Sequence, residues 1–406
     1  MEADAAGAVT VPDFITFTLG MIVYFIGYRL NRSVAFLRDF NIPEPVVGGL
    51  LVALATACLF ALDGPMLSFE TGARDRLLVI FFVTIGLNAQ LSTLVRGGRP
   101  LALLLGLTLV FMLLQNIVGL IGSVVFGLPT GAAVLLGSAS LIGGHGTAIA
   151  WGPEVASRYD MAGAAEMGIA AATFGLVIAA LIGGPIARYL VTRDALTPRD
   201  EDQPPMVGLP YEDAPQATLD FIGFMRALVT INLAIIAGFA LHQAMQTLGI
   251  MLPLFVPCLM VGIVIANVQP ILFPRLPVVS GTPVLALISE FSLAVFLSIS
   301  LMSMQLWTLV GLAGPLVGVL ALQSVLALVF CIYVLYPVMG RNYRAAVLGA
   351  GFGGFVLGAT PTAIANMTAV TKRYGPSPVA FIILPLVSAF FVDLANAFVI
   401  QLFLSL

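Results

Sequence analysis

The sequence predicts an all-α polytopic membrane protein: two inverted repeats, each with five transmembrane helices and one re-entrant hairpin. Three observations lead there. The 406 residues are 60% hydrophobic and only 9% charged, against roughly 25% charged in soluble domains. Apolar runs near the ~20 residues that cross a bilayer as a helix recur from residue 14 to the C-terminus. Two blocks of sequence also repeat at a single spacing. So little charge excludes a soluble enzyme, a nucleic-acid binder, a secreted disulfide scaffold and a disordered chain.

The elements follow in chain order. Residues 1–13 are read as an extracytoplasmic tail; Glu2 and Asp4 stand where a secretory signal would be basic, so the first apolar run is a retained helix. The first repeat, 14–191, supplies spans 14–30, 44–62, 76–95, 100–126 and 163–191. Segment 130–150 is apolar but loaded with Gly, Ser and Thr, and is read as re-entrant. Residues 192–218, with Pro198, Pro204, Pro205, Pro210 and Pro215 among acidic residues, are a linker that cannot bury a core. The second repeat, 219–406, supplies spans 219–247, 252–268, 282–305, 311–339 and 376–406, with a second re-entrant segment at 345–367. Cys58, Cys258 and Cys331 lie inside apolar runs with no disulfide or metal spacing, and read as small buried hydrophobes.

The repeat is visible in two places. GGHGTAIAWGPEVASRYD (143–160) aligns with GATPTAIANMTAVTKRYG (358–375) at 8 of 18 positions, an offset of 215. QLSTLVRGGRPLALLL (90–105) aligns with QLWTLVGLAGPLVGVL (305–320) at 8 of 16, again at 215. Positive-inside counting then decides what the two unusual segments do. If both dip in and return, with the N-terminus outside, 14 of the basic residues fall inside and only Arg74, Arg76 and Arg158 fall outside. If both cross, the split is 8 to 9 and the bias vanishes. Five spans per half is an odd number, so the halves insert with opposite orientation, both termini outside and the linker in the cytoplasm.

Inverted repeats are a recurring plan of secondary transporters. Irregular backbone at membrane depth is tolerated where protein buries it or it lines a cavity. Two hairpins entering from opposite sides would bring their Gly-rich tips together near the midplane. Helix N-termini and free N–H groups there suit an anion, and freed carbonyls and hydroxyls suit a cation. The pattern points to an alternating-access carrier and leaves its substrate open.

Several stretches carry a family resemblance: NIPEPVVGGLLVALA (41–55), FFVTIGLNAQL (81–91), LIGGHGTAIAW (141–151), ATFGLVIAALIGGPIARYL (172–190), GATPTAIANMTAVTKRYGPS (358–377) and AFFVDLANAFVI (389–400). In order, over almost the whole chain, they resemble the bacterial sodium:glutamate symporter family. The resemblance implies electrogenic, sodium-coupled uptake of L-glutamate across the bacterial inner membrane. It also implies a homodimer in which scaffold helices hold still while a core holding both hairpins moves, and no cofactor beyond sodium. Glutamate is a monoanion, and entering a negative interior costs about 2.3 kcal/mol per charge at ~100 mV. One sodium cancels that charge; at least two are needed for the potential to favour uptake.

Candidate residues follow from the tips and the last span. Gly143, Gly144, Gly146 and Thr147 surround His145. They suit a tight turn whose amides meet a substrate carboxylate, or equally close helix packing; the recurrence of glycines in both halves favours binding. The family pattern carries His145 over as a substrate contact, although a His there also shapes the turn by donating to a carbonyl. In the second tip, Thr360, Thr362 and Asn366 are assigned to substrate, since Asn366 offers donor and acceptor to an amino acid's zwitterionic end. Pro361 frees a carbonyl one turn back and is assigned to sodium. Arg373 is a candidate for the side-chain carboxylate, or a charge that sets topology.

Asp393 is the single acidic residue inside the final span, and intramembrane carboxylates mark ion paths by default. Asn396, at i+3, shares its helical face. Both are assigned to sodium, the alternative being a structural pair with Arg or backbone N–H. Asn88 in the third span completes the sodium set, while Gln115 and Asn116 read as interhelical hydrogen bonds.

Rival classes fare worse. A passive channel predicts rings of pore-lining charge and gives no reason for Gly-rich hairpins in both halves. An enzyme lacks a nucleophile–base or metal set, with only His145 and His242 available. A sodium- or proton-coupled carrier of another small carboxylate or amino acid is the serious alternative.

Overall fold

The computed structural model describes residues 9–39, 42–62, 64–89, 98–197, 220–248, 252–309, 311–390 and 392–405. Eight of its helices are long and apolar enough to cross a membrane, or nine if one bent pair counts as a single span. A lipid core offers the backbone no hydrogen-bond partners, so each crossing segment closes its own ladder as a helix. This is a multi-pass membrane protein.

Fourteen helices position the site. In the first half they are α1 Asp13–Ser33, α2 Glu44–Ala61, α3 Gly72–Asn88, α4 Gly98–Val125, α5 Gly144–Tyr159 and α6 Ala164–Arg193. The second half has α7 Phe221–Thr247, α8 Phe255–Leu272, α9 Pro283–Met302 and α10, which starts as Ala313–Phe330 and continues through a wider turn, Cys331–Leu335, to Val338. Then come α11 Tyr343–Leu357, α12 Thr360–Tyr374, α13 Pro378–Phe390 and α14 Val392–Leu404. Local chemistry sets the starts. Asp220 and Asn342 accept from Gly223 N and Ala345 N, capping α7 and α11. Asp13 does the same from another element: its Oδ1 accepts from Ala73 N (2.6 Å) at the start of α3, and its Oδ2 pairs with Arg76 (2.6 Å).

Three differences from the expected spans are informative. The third span was expected over 76–95; α3 ends at Asn88, and residues 90–97 lie outside the described residues. The last span is two helices, with axes bent by 46°. Pro385 inside α13 has no N–H to give back to the preceding turn, and Ser388 Oγ donates to its carbonyl (3.1 Å). The end of the expected N-terminal tail is anchored: Val9–Val11 pairs in parallel with Leu67–Phe69.

The helices sort into two bodies. In the first, α1 packs on α2 and α7 on α8, while α3 lies on α8 and α2 on α9. Its partners are thus exchanged between the halves of the chain. Small residues permit the closest crossing: a Cβ on Gly27 would sit 1.9 Å from Glu44 O, and one on Gly48 2.0 Å from Val23 O. The second body gathers α4, α5, α6 and α10–α14 around one large apolar core that includes Phe111, Phe330 and Phe352. The bodies meet through Ile149 and Ile169, which join the apolar cluster of Phe296 and Ile299, and through Phe82 and Phe255 of the first body, which join the larger core beside Trp151.

Segments 130–150 and 345–367 are not simple spans. The first contains only a short helix, Ala132–Leu135, then irregular chain to Gly143 before α5 begins, and α5 runs on to Tyr159. The second is a helical hairpin, α11 and α12 joined through Gly358 and Ala359. Tyr343 OH donates to Gly375 O at its open end, so the two arms run antiparallel.

Candidate functional site

The irregular segment before α5 is held by side chains from three neighbouring helices. Asn116 of α4 accepts from Ser138 N (2.9 Å) and donates to Ser138 Oγ (2.9 Å). Asn396 of α14 donates to Ser138 O (3.0 Å). Gly143 has no room for a side chain, since a Cβ there would lie 2.7 Å from Ala139 O. Gly144 then turns the chain into α5 at φ +68, a conformation that glycine adopts at no steric cost. Gln115 donates to Val356 O (2.7 Å), and Gln323 donates to Gln115 O (2.8 Å) and Leu136 O (3.0 Å), so the polar residues of α4 do serve helix–helix contacts.

The two tips meet across a cavity of about 280 Å³. Gly143, Gly144, His145, Gly146 and Thr147 line it from the first tip, and Thr360 and Pro361 from the second. Ser388 and Asp393 line it from either side of the break between α13 and α14. The facing wall comes from the other body and is apolar: Pro43, Phe81, Phe82, Leu293 and Leu297. The N-termini of α5 and α12 are both at this cavity, and no described side chain caps either. Each start leaves backbone N–H groups without helical partners and carries the positive end of a helix dipole, so the cavity suits an anion.

His145 is buried, with Nε2 3.0 Å from Thr173 Oγ1. Thr173 Oγ1 donates to Ile169 O (2.9 Å), which uses its only proton. The hydroxyl therefore accepts from Nε2–H, and in the neutral ring this leaves Nδ1 as an acceptor. In the second tip Thr360 Oγ1 donates to Ser388 Oγ (2.9 Å). Asp393, by contrast, makes no hydrogen bond or ion pair among the described residues, although it lines the cavity. Asn396 sits one turn further along α14, buried, with its Oδ1 unpartnered.

The remaining candidates lie elsewhere. Asn366 is buried but donates to Ala179 O (2.9 Å) and Ala350 O (3.4 Å), tying α12 to α6 and α11. Thr362 is fully buried on the inner side of α12, with Oγ1 unpartnered. Asn88 accepts from Gly281 N (2.9 Å) at the far end of α3 and anchors the turn before α9. Arg373 is exposed at the end of α12, in a separate groove with Arg188 and Arg193. Thr173, Ser388 and the apolar wall were absent from the sequence-based set. The repeat offset held a signal for the first two, because 173 and 388 differ by the same 215 as 145 and 360.

A family model described as sodium/glutamate symporter matches residues 10–376. A sodium/glutamate symporter of Haemophilus influenzae is 38% identical over 390 residues, covering 96% of each chain. The sodium/glutamate symporter of Escherichia coli is 39% identical over 394 residues, covering 96% of this chain and 97% of its own. That of Shigella flexneri matches to the same extent. These relatives are named as transporters, not enzymes. On a match of this extent, the chain belongs to the sodium/glutamate symporter family.

Proposed function

We propose that the chain is a sodium-coupled symporter that imports L-glutamate into the bacterial cell by alternating access, its second body moving against the first. One observation carries the reading. Among the described residues, every polar side chain at the cavity (His145, Thr147, Thr360, Ser388 and Asp393) belongs to the second body, and the first contributes only an apolar wall. A bound ion or amino acid would then travel with one body, breaking no hydrogen bond to the other. The inverted-repeat plan is supported by the matching succession of helices: α1, α2 and α3 correspond to α7, α8 and α9, and α5 to α12. It is supported again by the exchanged packing of α2 on α9 and α3 on α8.

Within the cavity, the uncapped starts of α5 and α12, with Gly143–Thr147, would take the substrate's carboxylates, and His145 Nδ1 would accept from its ammonium group. Asp393 is the proposed sodium ligand, with the free Oδ1 of Asn396 one turn away; an unpaired carboxylate facing a cavity is costly without a cation. We further propose a homodimer in the inner membrane, with both termini outside and the linker in the cytoplasm.

The test is uptake into vesicles containing the purified protein, with sodium and proton gradients imposed separately and a panel of acidic amino acids. Uphill glutamate accumulation driven by the sodium gradient, with an inward positive current, is the expected result. Accumulation driven by protons alone, or preference for another carboxylate, would establish the alternative carrier. Equilibration without accumulation would mean a channel.

A further inference from the structure

Away from the transport cavity, the ends of α6 and α12 enclose a groove of about 810 Å³. Its floor is carbon: Gly184 and Pro185 of α6, and Ala369 and Val370 of α12. Its rim is basic. Arg193 is already engaged, donating twice to Asp194 (2.7 and 2.9 Å) and stacking on Tyr189 and Tyr336. Arg188 and Arg373 are exposed and make no ion pair among the described residues; Arg373 only lies over the Tyr374 ring. Two guanidinium groups on facing helices thus stand over an apolar trough, and no carboxylate among the described residues pairs with them.

We propose that this groove binds an anionic phospholipid, its phosphate held by Arg188 and Arg373 and an acyl chain lying along the floor. The gradient from carbon to cation along the groove is that of a lipid, and basic pockets between membrane helices take acidic head groups. Arginine forks match phosphate oxygens in bidentate geometry. A free phosphate would use the rim and leave the floor empty; at Gly184 even an added Cβ meets nothing within 4 Å. Helix-dipole compensation explains Arg193, in the last turn of α6, but falls off within that turn and does not reach Arg188. The inference is independent of the transport reading, since it uses no group of the cavity.

The test is native mass spectrometry of the full-length protein in detergent, titrated in turn with phosphatidylglycerol, phosphatidylcholine of the same chains, and inorganic phosphate. Phosphatidylglycerol is expected to bind in preference to the other two. The pair Arg188→Gln with Arg373→Gln should weaken it at least tenfold, and the control pair Arg226→Gln with Arg275→Gln should not. Equal binding of phosphatidylcholine, displacement by inorganic phosphate, or an equal loss in the control pair would overturn the proposal. Should the double variant fail to fold, photoactivatable phosphatidylglycerol on the unaltered protein decides. Crosslinks are expected within 184–193 and 369–374, and crosslinks only elsewhere would refute the site.

Discussion

His145 Nε2 and Thr173 Oγ1 lie 3.0 Å apart, and the same bond recurs in the second half, where Thr360 Oγ1 meets Ser388 Oγ at 2.9 Å. Each joins the start of a hairpin helix to the final span of its own half across 28 residues. The second residue of each pair bonds back to its own helix, Thr173 to Ile169 O and Ser388 to Pro385 O. The two tips are therefore oriented by equivalent struts, although one carries an imidazole and the other a hydroxyl.

The strut at His145 can be cut without touching the cavity lining. In Thr173→Val the ring keeps its place but loses the acceptor for Nε2–H, freeing the tautomer. A net hydrogen bond is worth about 0.5–1.5 kcal/mol, so the glutamate concentration for half-maximal uptake should rise roughly 2- to 13-fold. The maximal rate per folded molecule should change less. Thr173→Ser should restore the affinity, which a purely steric role for Thr173 would not predict.

Asp393→Asn tests the cation assignment. The substitution keeps shape and removes the charge, so half-maximal uptake should need at least roughly tenfold more sodium, the effect of losing ~1.4 kcal/mol of binding. Purified protein should retain its elution profile and melting temperature. A collapsed elution profile with unaltered sodium dependence in the surviving fraction would make Asp393 a structural residue.

Two glycines two residues apart should behave differently. Gly144 needs φ +68, so Gly144→Ala is expected to cost about 1–2 kcal/mol of stability and to lower the melting temperature. Gly146 has no such constraint; an added Cβ would stand 3.8 Å from Phe81 Cε1, in ordinary contact. Gly146→Ala should melt like the parent while transporting more slowly, because its methyl group points at the wall past which the tip is proposed to slide. Equal melting of the two variants would refute the turn argument.

At the α1–α2 crossing the constraint is backbone against backbone. A Cβ on Gly27 would lie 1.9 Å from Glu44 O, which no rotamer relieves. Gly27→Val should force the helices apart, at about 1–3 kcal/mol by the usual cost of overpacking. Thermal unfolding in detergent measures it. Gly106→Ala is the control, since nothing lies within 4 Å of its added carbon.

Much of this fold was legible because a bilayer permits few solutions. Apolar length gave eight of the ten expected spans to within a few residues, and glycine with Pro361 marked the tips that line the cavity. What was hidden is tertiary. Asn366 and Arg373 have the chemistry of amino-acid ligands, yet Asn366 is consumed by the Ala179 and Ala350 carbonyls and Arg373 faces a groove at the end of its helix. Helix phase decides such outcomes, and one sequence does not fix the phase of a short helix packed on two sides. Thr173 and Ser388 carry no distinctive signal of their own, because a hydroxyl in a membrane helix ordinarily bonds its own preceding turn, which both also do. The bend between α13 and α14 lies within a run long enough to read as one span.

The exchange of partners in the first body bears on how the protein is made. Helix α3 rests on α8, and α2 on α9, so the first helices to leave the ribosome have no permanent neighbours on those faces. Synthesis runs at ~5–20 residues per second, so α3 waits roughly ten to forty seconds for α8 and α9. During that time the close-packing surfaces of Gly86, which faces Leu259 of α8, and Gly49, which faces Leu301 of α9, stand open to lipid or to an insertion factor. Neither half of the chain closes the first body by itself, because α2 and α3 find their partners α9 and α8 only in the second half.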